Sequence, residues 1–175
     1  MPHFTIAPPD AGEYPAAVAH YIEQVAQTDV LEELAMQVPE LNRLLASLSN
    51  DQALKIHPPY TWTIKQVVGH MADCDRVFGY RALRLARLDA TPLPGFDENA
   101  YMRAVDFDHR PLADLLAEFE LLRKSQTFML GTLSAEAWSF RGQINGHLMT
   151  TRAVAYVMAG HARHHLKILA ERLAA

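Results

Sequence analysis

Four stretches of the chain place apolar residues at every third or fourth position. The first runs through Leu31, Leu34, Ala35, Val38, Leu41, Leu45 and Leu48, and the second through Ile64, Val67, Val68, Met71, Cys74, Phe78, Ala82 and Leu85. The third comprises Leu112, Leu115, Leu116, Phe119, Leu122 and Met129, and the fourth Val154, Val157, Met158, Ile168 and Leu169. This spacing marks one face of an α-helix. No convincing core strand competes with it. Four amphipathic helices cover their apolar faces by packing on one another, so the expected fold is all-α, a four-helix bundle.

Local signals place the boundaries. Asp29 is suited to cap a helix reaching about Ser49, with Pro39 expected to kink or break it. Thr61 or Thr63 starts a long helix to about Leu88, Pro111 opens one to about Thr132, and Thr150 or Thr151 caps the last. Tyr14 to Gln27 reads as a further short helix, and Asp97 to Val105 as one or two turns in a long connection. Ser134 to Ala137 reads as a helical turn. Arg141 to Leu148 reads as a loop or small hairpin around Asn145-Gly146, a turn dipeptide.

The length of 175 residues suits one domain over 1–175. A net charge of -4 without a lysine or arginine cluster argues against nucleic acid as the partner. No apolar run is long enough for a bilayer span. Met1-Pro2-His3-Phe4 lacks the charged and apolar regions of a signal peptide. Cys74 is the one cysteine, so no internal disulfide forms. A cytoplasmic protein is expected.

Gly160-His161-Ala162-Arg163-His164-His165 sets His161 and His165 four apart on the last helix, one turn from each other on its inward face. A single interior histidine is more often a hydrogen-bonded core residue than a ligand. Two on one apolar stripe must both find partners, which makes a shared metal ion an equal alternative. A third imidazole would make the site a good zinc or nickel ligand set. His3, His20, His57, His109 and His147 fall in loops or in the short first helix, whereas His70 lies beside the stripe of a long helix.

Trp62-Thr63-Ile64-Lys65-Gln66-Val67-Val68-Gly69-His70-Met71-Ala72-Asp73 resembles the W-[ST]-x-x-x-x-x-x-H-x-x-D motif of the DinB-like superfamily. Gly160-His161-Ala162-Arg163-His164-His165 is similar to the G-H-x-x-H-H ending of its YfiT-type branch of candidate metal-dependent hydrolases. The connection Thr91-Pro92-Leu93-Pro94-Gly95-Phe96-Asp97-Glu98 is also similar to that branch. The likeness runs from about Tyr14 to Leu173. It implies a DinB/YfiT-type four-helix bundle, usually a homodimer, with one divalent metal ion held by His70, His161 and His165. His164 matches an extra histidine rather than a ligand. Asp73 is a candidate to orient a ligand imidazole, or a solvated helical carboxylate. Cys74, one turn from His70, reads as a buried inert thiol. Asp97 and Glu98 either approach the site entrance or cap the short helix, and Trp62 and Trp138 read as packing.

An ion on three neutral imidazoles keeps its charge. It can activate water for hydrolysis, or a low-molecular-weight thiol for transfer to a small-molecule electrophile. The wider superfamily includes bacillithiol- and mycothiol-dependent enzymes, and the sequence offers no distinct general base, which favours the thiol S-transferase reading over a hydrolase. A non-catalytic, stress-associated metal-binding bundle is the competing class. Free histidine titrates near pH ~6.5, so protons are expected to compete with the metal around that value.

Overall fold

A computed structural model describes residues 5–174. The stretch expected as a helix from Tyr14 to Gln27 is instead two 3-10 turns, at 11–13 and 16–18, and one short helix, α1 (Ala19–Ile22). It is anchored by its side chains: Ile22 and Val25 enter the core and Tyr21 packs against it. α2 (Val30–Leu45) starts at Asp29, whose carboxylate accepts from the amides of Leu31 and Glu32. Pro39 does not break α2. It sits on the exposed face, where water can satisfy the carbonyl that loses its amide partner.

α3 (Ile64–Ala86) opens with a capping box in which Thr63 and Gln66 serve each other's backbone amides. α4 (Glu98–Ala104) interrupts the long connection, with Asp97 as its cap. α5 (Leu112–Leu130) follows Pro111, and α6 (Ala135–Ser139) is a single turn. β1 (Arg141–Ile144) and β2 (His147–Thr150) form an antiparallel hairpin pairing Arg141 with Thr150 and Ile144 with His147. Its turn residues Asn145 and Gly146 both have positive φ, 50° and 80°. Such a turn matches the twist of the strands, which accounts for the Asn-Gly pair. α7 (Thr151–Ala174) starts where the Thr150 hydroxyl accepts from the Ala153 amide.

Two apolar clusters set the helix directions. One gathers Val30 and Leu34 of α2, Cys74 to Leu85 of α3, Leu130 of α5 and residues 153–159 of α7. The other gathers Val38 to Leu45, Ile64 to Met71, Leu112 to Phe119 and Ala162 to Leu169. Hence α2 and α7 run one way, and α3 and α5 the other. α2 and α3 each pack beside both α5 and α7. Consecutive long helices α2 and α3 therefore lie across the diagonal of a four-helix bundle, as do α5 and α7.

Polar side chains occupy the level between the clusters. Arg123 forms two hydrogen bonds to the Asp75 carboxylate, at 2.8 and 2.9 Å, and a third to Gln37 at 2.7 Å. Gln37 continues to Glu33 and to the Ala159 carbonyl. These bonds join all four long helices. The hairpin fixes the connection to α4: Leu93 exchanges backbone hydrogen bonds of 2.9 Å with Gln143 and Asn145.

Candidate metal centre

His70 comes from the first half of α3, and His161 and His165 from successive turns of α7, which packs against it. All three side chains are buried. Nε2 of His161 lies 3.1 Å from Nε2 of His70 and 3.1 Å from Nε2 of His165. The three histidines offer donor atoms all within 4.8 Å of one another.

An imidazole nitrogen carries either one proton or one lone pair. Nε2 of His161 can therefore satisfy one neighbour by hydrogen bonding, not both. A cation facing three lone pairs satisfies all of them. The spacing also fits. Two nitrogens bound to zinc stand about 2.9 Å apart at a right angle and about 3.3 Å apart at the tetrahedral angle. The observed separation falls between these, so the donor set fits a divalent ion.

Burial keeps the imidazoles neutral, as ligands must be. It pulls His70 down to about 4 and His165 to about 3. His161 is held well below its ordinary value, by burial first and then by its histidine neighbours. The site borders a cavity of about 290 Å³ whose walls include Tyr21, Trp62, Phe78 and Phe96. The Tyr21 and Phe78 rings meet the His161 ring edge-on, each with centroids 5.5 Å apart, and the Trp62 ring lies 4.9 Å from that of His70. Glu98 and Asn99, on the first turn of α4, are exposed residues of the same lining.

This fold has relatives. Residues 33–169, a span that includes all three histidines, match the family model of the DinB superfamily. The chain belongs to that superfamily. A candidate metal-dependent hydrolase of Halalkalibacterium halodurans is 23% identical over 165 residues, 91% of this chain and 95% of the relative. One from Oceanobacillus iheyensis is 29% identical over 159 residues, covering 87% and 90%. Among solved structures, YfiT of Bacillus subtilis superposes with a TM-score of 0.71 at 20% identity, over 95% of this chain and 93% of that one. YfiT is described as a candidate metal-dependent hydrolase with an unusual four-helix bundle topology. The DinB-superfamily fold expected from the motifs is thus the fold observed.

The other candidates separate around the three converging imidazoles. His164 lies outside that group, with its ring 5.8 Å from Tyr21 and at the cavity wall. Asp73 turns away: its hydrogen-bond partner among the described residues is Arg76, at 3.3 Å, and it lines a different pocket. A step of three residues from His70 rotates it towards the bundle surface. Cys74 is buried with Sγ 3.6 Å from Nε2 of His70, and burial pushes its thiol well above the ordinary range. Asp97 caps α4, while Glu98 lines the cavity, so the two proposed roles divide between the neighbours. Trp62 is a cavity wall and Trp138 a core residue. His109 pairs with Asp106 and His57 meets Arg172, and neither joins the three converging imidazoles. His3 lies outside the described residues. Sequence reasoning missed Tyr21, Phe78 and Phe96 as walls of the site. The one available signal was the likeness of the 91–98 connection.

Proposed function

We propose that this DinB-superfamily protein is a metal-dependent hydrolase in which His70, His161 and His165 hold one divalent ion, zinc or nickel, per chain. The observation that carries the reading is the convergence of three buried, neutral imidazoles on one point beside a cavity. When bound, the ion supplies Lewis acidity that makes a small nucleophile reactive near neutral pH. The residues of the chain supply the rest. The aromatic walls lower the polarity beside the histidines and so strengthen charge interactions there. Glu98, exposed at the cavity lining, is placed to accept the proton that the nucleophile gives up. Asn99 offers an amide to orient a polar group of the substrate. The metal-dependent hydrolase names of the relatives in Halalkalibacterium and Oceanobacillus support the same reading.

A second reading keeps the site and changes the nucleophile: a low-molecular-weight thiol delivered to a small electrophile. Three imidazoles inside aromatic walls suit a soft thiol and an apolar electrophile. The lack of a base in the sequence favoured this reading, and the position of Glu98 removes that argument. Zinc-loaded protein assayed on ester and amide panels without thiol, and on an aryl halide with thiol at pH ~6.5, separates the two. Hydrolysis without thiol that disappears in His70→Ala supports the hydrolase. Thiol-dependent consumption of the halide transfers the assignment to the second reading. Silence on both panels overturns catalysis and leaves a binding protein.

A further inference from the structure

Arg172 is 3% exposed, yet no carboxylate pairs with it among the described residues. Three other arginines at or near the core pair with carboxylates: Arg123 with Asp75, Arg152 with Glu13 and Arg163 with Glu33. Arg172 instead bonds neutral groups, through Nη2 to the carbonyls of Trp62 at 2.9 Å and Lys55 at 3.3 Å, and through Nε to His57 at 3.4 Å. Its guanidinium also lies 5.4 Å from the centre of the Tyr60 ring. Nη1 is buried without a partner. A buried guanidinium lacking a counter-charge is costly, and arginine is rarely buried unless paired.

The guanidinium borders a cavity of about 280 Å³ with Tyr60, Trp62, Val67, His165 and Ile168. Trp62 and His165 also line the cavity at the three imidazoles, so the two cavities adjoin across these residues. The Nδ1 atom of His165 is the second buried polar atom here without a partner. The cavity thus combines apolar walls, an uncompensated positive charge and an unserved imidazole nitrogen next to the reacting centre.

We propose that this cavity is a subsite for a carboxylate carried on a short apolar group, the carboxylate supplying the counter-charge to Arg172. The apolar part lies along Val67 and Ile168. Under the hydrolase reading, on which this meaning rests, the carboxylate belongs to the substrate and selects acids over their neutral analogues. Binding itself needs no catalysis.

The probe is butyrate, with butyramide as its neutral counterpart, titrated calorimetrically into the zinc-loaded protein. Saturable butyrate binding, with butyramide about tenfold weaker, is expected for a charge-assisted contact. Arg172→Gln also removes the clamp on the Lys55 and Trp62 carbonyls, so the deciding variant is Ile168→Glu. It places a carboxylate one turn before Arg172 on the same helix, the favourable order for such a pair. This variant should fold, keep its zinc, and lose butyrate binding at least tenfold. Equal affinity for acid and amide, no butyrate binding, or full binding in Ile168→Glu each overturns the subsite and leaves Arg172 as a loop clamp. Butyrate binding that behaves as expected in a protein with no turnover on any panel leaves the subsite standing and removes the hydrolase reading.

Discussion

A Cβ added to Gly160 would lie 2.0 Å from the backbone oxygen of Tyr21. The glycine lets α1 close onto α7 one residue before His161, and this contact brings the Tyr21 ring edge-on to that histidine. Helix propensity alone favours alanine at such a position by about 1 kcal/mol. The clash reverses the sign. Gly160→Ala is expected to destabilise the protein by about 1–3 kcal/mol, since backbone rather than a pliable side chain must move. Zinc affinity should fall with it. A urea midpoint equal to or above that of the parent protein would show that the Tyr21 segment yields freely.

His161 shares its Nε2 with both neighbouring imidazoles, so it is the central donor. His161→Ala should abolish stoichiometric metal, because two imidazoles hold a divalent ion weakly. His164→Ala should retain it, since the His164 ring lies outside the cluster. Elemental analysis of untagged protein checks both. One ion per chain in His161→Ala would refute the ligand set, and loss of the ion in His164→Ala would add a fourth donor.

The pH response follows from burial. His70 at about 4 and His165 at about 3 lie below the ~6.5 of the unfolded chain. As pH falls through ~6.5, unfolded metal-free chains take up protons before folded ones do. Stability is therefore full above pH ~6.5 and declines towards pH ~4, by up to about 1.4 kcal/mol per pH unit for each histidine. Thermal midpoints of metal-free protein should drop between pH ~7 and ~5, and drop less in the double variant His70→Gln, His165→Gln. Zinc affinity of the folded site should stay nearly level from pH ~7.5 to ~5.5. Burial thus moves the proton competition expected for free histidine to lower pH. Chelator competition that shows affinity falling steeply through pH ~6.5 would contradict this.

Arg123 is 1% exposed, and its ion pair with Asp75 sits in the polar level between the two apolar clusters. Arg123→Met leaves the Asp75 carboxylate buried without a counter-charge, at a cost of about 3–5 kcal/mol. Adding Asp75→Asn should recover part of that loss. Urea denaturation of the single and double variants measures both. A loss below about 1 kcal/mol in Arg123→Met would show that the pair contributes little.

The sequence by itself determined the four long helices, because their apolar stripes and caps are local: Asp29, Thr63 and Thr150 each cap the helix that follows. It also determined that His161 and His165 share a face, since four residues make about one helical turn. Its place beside an apolar stripe set His70 apart from the other histidines, and the likeness to a known family made it the third ligand. Tertiary structure decided everything that depends on partners distant in the chain. Only packing of α3 on α7 sets His70 beside His161 across 91 positions. Only the diagonal arrangement of consecutive helices sets Gln37, Asp75 and Arg123 in one network. Pro39 survives in α2 because its face meets solvent, and the stretch before α2 is mostly turns because its side chains are held by the core rather than by its own helical bonds. Glu98 joins the histidines because the hairpin holds Leu93, and Arg172 lacks a counter-charge because of what surrounds it in space. None of these is written in local periodicity, since each depends on which surfaces meet after the helices have formed.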